Sequence, residues 1–212
     1  MYFVNIRPFQ PLRLLLAGIL LALAVPAAAQ TVVLDPGHGG KDRGTSWGGV
    51  SEKTLTLSIS RKVAARLQAS GIRTVLTRNS DRYVSLPGRA AVANGFRNAC
   101  FVSIHCNAEI SASVRGIETF YYGSRGSSLA SAIHRRLDTH TTTPSRGVKF
   151  GHFAVLRQTS CPAALVECGF VSHRRERNLL ISPIYQEKIA TAIADGIRAS
   201  IRNRSASYTS TR

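Results

Sequence analysis

The chain has 212 residues, of which 44% are hydrophobic and 18% are charged, and its formal net charge is +17 at pH 7. A chain of this length suits a single domain with a substantial core, and its sequence contains neither an internal repeat nor a second domain. The positive charge predicts attraction to polyanions, but nucleic acid is not expected as a partner because no RNA-stacking or helix-turn-helix motif is present.

The N-terminal segment has the three parts of a secretory signal peptide. Arg7 and Arg13 precede an apolar run at 14–25, and the pattern Ala27-x-Ala29 suits a signal peptidase. The apolar run is shorter than the roughly 20 residues that a helix needs to span a bilayer. We therefore expect cleavage after Ala29, with a retained membrane anchor as the alternative.

This interpretation divides the chain into a signal peptide at 1–29, a folded domain at 30–203 and a flexible polar tail at 204–212. Removing the two arginines of the signal peptide lowers the formal charge from +17 to +15. The mature protein is expected to be an exported monomer of the periplasm or cell envelope, with no stable membrane insertion. Its charge reflects either basic genome-wide composition or attraction to an acidic envelope polymer or anionic membrane surface.

Apolar strand-like runs alternate with helix-period segments along the mature chain, a pattern typical of an α/β fold. Strands are predicted at 31–35, 73–77, 100–105, 116–122, 153–156 and 164–167, and helices at 54–69, 86–94, 127–139 and 184–202. The predicted fold class is α/β: a single-domain, twisted, mostly parallel sheet of about six strands flanked by helices. The segment 139–151 is predicted as the longest loop, bordering the substrate groove.

Two histidines stand where strand-like runs end. In LDPGHGG, Pro36 and the glycines predict a tight, exposed turn that displays His38 at the edge of the sheet. His105 ends the run FVSIH, and the carboxyl ends of parallel strands gather at one edge of an open sheet. Each histidine alone is compatible with a turn or core imidazole, but two at one edge favour a metal site.

Two glutamates fit the same edge. Glu52 opens the first helix, where it either interacts with the helix dipole, worth ~0.3–1 kcal/mol, or reaches back over the His38 turn. Two imidazoles and a carboxylate are a common ligand set for catalytic zinc, so His38, Glu52 and His105 are predicted as zinc ligands. Glu167 interrupts the buried run AALVECGF, where it is either half of a structural ion pair or a general base beside the metal.

The sequence predicts no site role for the cysteines, for the remaining histidines or for Glu118. The 4 cysteines permit three fully paired connectivities in an oxidising compartment, none of which the sequence selects, and inert core thiols are the preferred interpretation. The remaining histidines are expected in surface or packing roles, and Glu118 is left unassigned. These cysteines and histidines are Cys100, Cys106, Cys161, Cys168, His134, His140, His152 and His173.

Taken in order, the fragments resemble the zinc-dependent N-acetylmuramoyl-L-alanine amidases of the Amidase_3 type. These bacterial enzymes cut peptidoglycan between the lactyl group of muramic acid and the stem peptide. The resemblance covers nearly the entire mature chain: LDPGHGGKDRG, the glutamate before the first helix, TRNSDRYVSLPGRAAVAN, FVSIHCNA, GIETFYY and FAVLRQTSCPAALVECGFVS.

The resemblance implies an amidase catalytic domain at 30–203, on a twisted and mainly parallel sheet. It makes His38, Glu52 and His105 the zinc ligands and Glu167 the catalytic acid/base. The implied reaction is hydrolysis of the amide bond between N-acetylmuramic acid and L-alanine by zinc-activated water, with peptidoglycan as the partner. A long helical insertion that covers the zinc in relatives acting in cell division is not expected here, so no built-in inhibition is predicted.

The chain departs from the family pattern at Cys106, Cys168 and His173, none of which is a ligand. We hypothesise a disulfide between Cys106 and Cys168. It would constrain the floor of the site, so the oxidation state of the protein would affect its activity. Two other functions stay open: a noncatalytic peptidoglycan-binding envelope protein, and a zinc peptidase that cuts within the stem peptide. The complete ligand set with a spare glutamate favours catalysis, and only the resemblance favours the amide bond.

Overall fold

The computed structural model describes residues 30–111 and 113–209, so the predicted signal peptide at 1–29 lies outside the described part of the chain. The strands are β1 (Thr31–Pro36), β2 (Ser46–Trp47), β3 (Val50–Ser51), β4 (Thr74–Leu76), β5 (Ala99–Asn107), β6 (Ile117–Tyr121), β7 (Ser145–Phe150) and β8 (Ala163–Phe170). The helices are α1 (Glu52–Ala69), α2 (Leu86–Asn94), α3 (Ser124–His140), α4 (Ala154–Arg157), α5 (Arg174–Leu180) and α6 (Pro183–Thr209). Within the described residues, no helix combines the length and apolar character that crossing a bilayer requires.

Most of the strands form one mixed, 6-stranded sheet in the order β4-β1-β5-β8-β6-β7. β4, β1, β5 and β8 are parallel to one another, whereas β6 runs antiparallel to β8 and β7 runs parallel to β6. The prediction of an α/β fold with six strands and flanking helices is confirmed. Because β1, β5 and β8 point the same way, their carboxyl ends lie side by side at one edge of the sheet.

The two faces of the sheet are covered unequally. The helices α1, α3 and α6 bury the larger apolar cluster on one face, which includes Ile104, Val166 and Ile193. The smaller cluster on the other face includes Phe101 and Leu165 of the sheet, with apolar residues of the short helices α2 and α4. We call this second face the cleft face, because Leu165 also lines the cleft described below.

Two predictions in the second half of the chain are wrong. The segment 139–151, predicted as a loop, contains β7, and the segment 153–156, predicted as a strand, lies largely in α4. β7 is an edge strand with exposed and half-buried side chains, so it lacks an apolar alternation. The run FAVL is too short to separate strand from helix by pattern, and α4 uses it to bury Val155 and Leu156.

Short elements and one boundary also differ from the sequence prediction. The hairpin of β2 and β3 and the helix α5 have no predicted counterpart. α6 continues to Thr209, so no helix end marks the predicted start of a tail at residue 204. Residues 210–212 lie outside the described part of the chain.

Two buried arginines hold the turn that follows β1. Arg78 donates from Nε to the Pro36 carbonyl at 2.9 Å and from Nη2 to the Gly37 carbonyl at 2.8 Å. Arg89 donates from Nη1 to the Pro36 carbonyl and from Nη2 to the His38 carbonyl, both at 2.7 Å. Three consecutive carbonyls therefore face guanidinium groups, and the Gly37 carbonyl also accepts a hydrogen bond from Thr56 Oγ1 at 2.8 Å, so the acceptors of this turn are satisfied.

Asp35 supplies the negative charge beneath this turn. It is fully buried and accepts hydrogen bonds from Arg89 Nη1 at 2.7 Å, Thr77 Oγ1 at 2.6 Å and Ser103 Oγ at 2.7 Å. A buried carboxylate is tolerated when it is paired with a cation and its oxygens are hydrogen-bonded. Asp35 therefore joins β1 to α2, to β5 and to the segment after β4.

The substitution Arg89→Lys keeps the charge but removes the planar fork that reaches Asp35 and the turn carbonyls together. We expect the free energy of unfolding, measured by urea denaturation, to fall by about 1–3 kcal/mol because buried acceptors lose their donors. Arg157→Lys, at an exposed position of α4, is the matched control and should change it by less than about 0.5 kcal/mol. Equal stability of R89K and the unaltered protein would show that the fork is dispensable.

Candidate functional site

His38 lies in the turn after β1 and has a left-handed backbone conformation, with φ of 60°. Such a conformation is uncommon for a residue with a side chain. The Nδ1 atom of His38 lies 2.9 Å from Oδ1 and 3.0 Å from Oδ2 of Asp42. When Nδ1–H donates to this carboxylate, the Nε2 lone pair is free to act as a ligand. Nε2 lies 3.1 Å from Oε1 of Glu52.

Glu52 is the first residue of α1, and backbone amides fix its carboxylate. Oε2 accepts a hydrogen bond from the Thr45 amide at 2.9 Å, and Oε1 accepts one from the Cys106 amide at 3.1 Å. Burial opposes ionisation of Glu52, but its bonds with His105 and His38 outweigh burial and hold the pKa of Glu52 far below its ordinary value. Glu52 is therefore an anion facing two imidazoles.

His105 completes this group from the end of β5. Its Nδ1 lies 3.0 Å from Oε1 of Glu52. Its ring packs against Gly37, where a Cβ atom would fall 2.3 Å from the imidazole. One ligand atom from each of His38, Glu52 and His105 lies within 4.8 Å of the others. The structure thus brings together the three residues that the sequence predicts as zinc ligands.

The chemistry of these donors fits zinc. Magnesium and calcium prefer an all-oxygen shell, whereas two imidazole nitrogens and one carboxylate are a frequent set for a zinc ion that keeps one position open. The hydrogen bond that His38 Nδ1–H donates to Asp42 is the outer contact that orients a metal-binding imidazole. The residues of this cluster are therefore suited to hold one zinc ion.

Glu167, the fourth predicted residue, lies on β8 in register with His105 on β5 and with Glu118 on β6. All 8 residues of β8 are buried, and Oε2 of Glu167 has no hydrogen-bond partner among the residues that the structure describes. Desolvation by burial raises the pKa of Glu167 to about 7. A carboxyl group with this pKa takes up and releases a proton readily near neutral pH.

One cleft of about 400 Å³ contains all four predicted residues, which are His38, Glu52, His105 and Glu167. Its polar lining also includes Asp42, Arg89 and Asn107, and its apolar walls include Leu86 and Phe153. Leu86 is 52% and Phe153 is 39% exposed, so both apolar side chains are available to a ligand. The cleft combines a metal-ligating cluster, a protonatable carboxyl group and apolar walls, as catalytic pockets commonly do.

Three polar residues of the cleft, Asp42, Arg89 and Asn107, are not predicted from the sequence. Asp42 follows His38 by four residues in HGGKD, so an outer carboxylate could have been inferred from that spacing. Arg89 is 51 residues from His38, and its partners there are backbone carbonyls, which leave no sequence pattern. Asn107 follows His105 by two residues on the same strand, which places it on the same face.

The remaining histidines and cysteines lie outside the ligand cluster. His134 is buried and hydrogen-bonds Thr119 at 3.0 Å and Ser145 at 2.8 Å, a packing role. Cys106 and Cys168 are both buried free thiols in hydrogen-bonding contact. The contact with Cys168, together with burial, raises the pKa of Cys106 well above its ordinary value. The disulfide hypothesised between these two cysteines is not formed in this structure.

Comparison with known sequences identifies one family over most of the chain. The profile described as Amidase_3, N-acetylmuramoyl-L-alanine amidase, matches residues 32–199. The N-acetylmuramoyl-L-alanine amidase LytC of Bacillus subtilis (strain 168) is 36% identical over 175 residues, which cover 81% of this chain and 35% of LytC. The chain therefore spans about a third of the length of that relative.

Solved structures of similar sequence share the fold. The catalytic domain of CwlV, an N-acetylmuramoyl-L-alanine amidase from Bacillus (Paenibacillus) polymyxa var. colistinus, has a TM-score of 0.79 at 35% identity, covering 82% of this chain and 98% of that one. The N-acetylmuramoyl-L-alanine amidase AmiC2 of Nostoc punctiforme also has a TM-score of 0.79, at 40% identity, covering 82% of this chain and 97% of AmiC2. With sequence profile and fold in agreement, the chain belongs to the Amidase_3 family of N-acetylmuramoyl-L-alanine amidases.

Proposed function

We propose that this protein is a zinc-dependent N-acetylmuramoyl-L-alanine amidase. It cleaves peptidoglycan at the amide bond between the lactyl group of N-acetylmuramic acid and the L-alanine of the stem peptide. The observation that carries the proposal is the convergence of two imidazoles, an anionic carboxylate and a separate protonatable carboxyl group in one cleft. Membership of a typically zinc-dependent amidase family supports it.

His38, Glu52 and His105 would hold the zinc, which when bound supplies a Lewis acid that polarises the amide carbonyl and increases the acidity of the attacking water. Two of these three side chains are neutral ligands and one is an anion, so the set does not cancel the charge of a divalent cation. Asp42 keeps the His38 ring in one orientation, and Arg89 holds the His38 backbone from below.

Glu167 moves the proton. Its unpartnered Oε2 accepts a proton from the attacking water while the new bond forms between the water oxygen and the lactyl carbonyl carbon. The same carboxyl group then delivers that proton to the alanine nitrogen as the carbon–nitrogen bond breaks. Each turnover therefore leaves Glu167 ionised again, and a pKa of about 7 suits both transfers.

The substrate sets where the protein acts. We propose that cleavage of the signal peptide at 1–29 releases the mature chain as a monomer into the periplasm or cell envelope, without stable membrane insertion. Removing the two arginines of that segment lowers the formal charge from +17 to +15. A positive protein of this kind is attracted to an anionic wall polymer through long-range electrostatic fields.

Digestion of purified peptidoglycan by the mature protein tests the reaction. We expect mass spectrometry to find free stem peptides that begin with L-alanine when zinc is present, and none after the metal is chelated. Fragments cut within the stem would identify the zinc peptidase instead. Zinc-loaded protein that binds peptidoglycan without cutting it would identify the noncatalytic binding protein.

The substitution Glu167→Gln tests the proton carrier, because it keeps the shape of the side chain and removes its acid/base chemistry. We expect the variant to retain its zinc and kcat to fall by about 10²–10⁴-fold on a soluble muropeptide. Metal content is measured by plasma mass spectrometry alongside the kinetics. Glu187→Gln, which alters a surface ion-pair cluster with Lys62 and Arg66, is the control and should retain activity. Normal turnover by E167Q would reject the assignment.

The substitution Asp42→Ala tests the outer shell of the metal site. Loss of the Asp42 carboxylate frees the His38 ring to rotate, so zinc affinity should fall by about 10–100-fold in competition with a chelator. Asp138→Ala, at an exposed position of α3, should leave zinc affinity unchanged. Equal zinc affinity of D42A and the unaltered protein would mean that Asp42 does not orient His38.

A further inference from the structure

The side of the cleft face formed by β6 and β7 carries a charged cluster that the proposed reaction does not use. Glu118 on β6 has a side chain that is only 5% exposed, and its Oε2 accepts hydrogen bonds from Arg146 Nε at 3.0 Å and from Lys149 Nζ. Its Oε1 accepts one from Asn107 Nδ2 at 2.8 Å. We call these three residues, Glu118, Arg146 and Lys149, the Glu118 cluster.

This cluster is continuous with the cleft. Glu118 pairs directly with Glu167 across the antiparallel β6 and β8, and directly paired residues project from the same face of a sheet. Asn107, the hydrogen-bond partner of Glu118, lines the cleft itself. The cluster therefore borders the carboxyl group that we assign to proton transfer.

An aromatic pair provides a second connection between cluster and cleft. Lys149 pairs with Phe120 in the sheet, and its Nζ lies 5.9 Å from the Phe120 ring centroid. The Phe120 and Phe153 rings are 4.9 Å apart, and Phe153 lines the cleft. Apolar contacts thus lead from the cleft to Lys149.

The cluster has an excess of positive charge. Two cations share one buried carboxylate, yet the Arg146 and Lys149 side chains remain 35% and 40% exposed. Arg146 uses only Nε on Glu118, and an ammonium group has three donors, of which Lys149 uses one here. Among the described residues, no second acidic side chain pairs with either cation. The remaining donors are available to an anion.

The distance from the strand of Glu167 to the strand of Arg146 and Lys149 corresponds to a short stretch of extended peptide. β7 is two strands away from β8, and neighbouring strands lie about 4.8 Å apart, so the separation is about 10 Å. An extended peptide advances about 3.3–3.6 Å per residue, so groups two or three residues beyond the cleaved bond lie about 7–11 Å from it. A stem peptide crossing β6 would bring those groups to the cations.

We propose that Arg146 and Lys149 bind a carboxylate of the stem peptide two or three residues beyond the cleaved amide. Glu118 is a positioning residue that holds both cations at the border of the cleft. This inference rests on the proposed function and adds a preference to it: stem peptides with free carboxylates are bound better than stem peptides in which these groups are amidated.

The test compares two synthetic substrates, an N-acetylmuramoyl tripeptide with free carboxylates on its second and third residues and the same compound with carboxamides there. We expect kcat/KM of the unaltered protein to be about fivefold or more higher for the free carboxylates, through KM rather than kcat. Calorimetric titration with the two free tripeptides should show the same preference in Kd, without any catalytic step.

Variants of Arg146 and Lys149 test whether these two cations cause the preference for free carboxylates. Lys149→Met and the double variant R146Q/K149M should lose the preference for free carboxylates, while the conservative variant K149R should retain it. Lys188→Met, at an exposed position of α6, is the matched control and should behave as the unaltered protein. Thermal unfolding of each variant shows whether β7 remains folded.

The outcomes separate this inference from the reaction on which it rests. Equal cleavage of both substrates by the unaltered protein, with equal Kd values for the two peptides, overturns the carboxylate site and leaves the amidase proposal standing. A loss on both substrates alike in K149M, with lowered thermal stability and no loss in K149R, also overturns it, since Lys149 would then only hold β7 in place. Failure to cleave either substrate counts against the amidase itself, and the peptide titrations still decide the binding site.

Discussion

The site depends on a backbone turn whose carbonyl groups face the interior of the protein. Arg78 and Arg89 donate to the carbonyls of Pro36, Gly37 and His38, and the Thr56 hydroxyl adds a second donor to Gly37. Without the two guanidinium groups, this turn would lose most of the side-chain donors that satisfy its carbonyls. With these carbonyls bound from below, the His38 side chain joins the metal cluster and Gly37 leaves room for the His105 ring. A pair of buried cations therefore determines where two of the three ligand side chains lie, although neither cation is itself a ligand.

The reversed direction of β6 has a comparable effect on the other side of the cleft. In a wholly parallel sheet the neighbour of β8 would begin at the far edge, whereas β6 begins at the edge where β8 ends. Residues near the start of β6 therefore lie beside residues near the end of β8, and Glu118 pairs with Glu167. Within the described part of the chain, a carboxyl group whose Oε2 has no hydrogen-bond partner and a carboxylate paired with two cations thus occupy adjacent strands.

The sequence predicts the parts of this arrangement that interrupt a local pattern. His38 stands in a glycine-rich turn, and Glu167 interrupts an apolar strand, so both could be identified before the structure was known. β7 could not, because its residues SRGVKF are exposed or half-buried without the apolar–polar alternation that marks a half-buried strand. Arg89 could not be identified either, since its contacts with Asp35 and with the turn carbonyls join residues more than fifty positions apart. Long-range contacts to the backbone leave no trace in residue spacing.

The unequal covering of the two sheet faces has an evolutionary consequence. Most of the apolar core lies beneath the three long helices, on the side away from the cleft, whereas the cleft face carries a smaller apolar cluster with short helices and half-exposed side chains. Substitutions of the half-exposed side chains on the cleft face thus remove little of the burial that stabilises the domain. A lineage carrying this fold is free to change the selectivity of the cleft, because altering exposed side chains there consumes little of its stability margin.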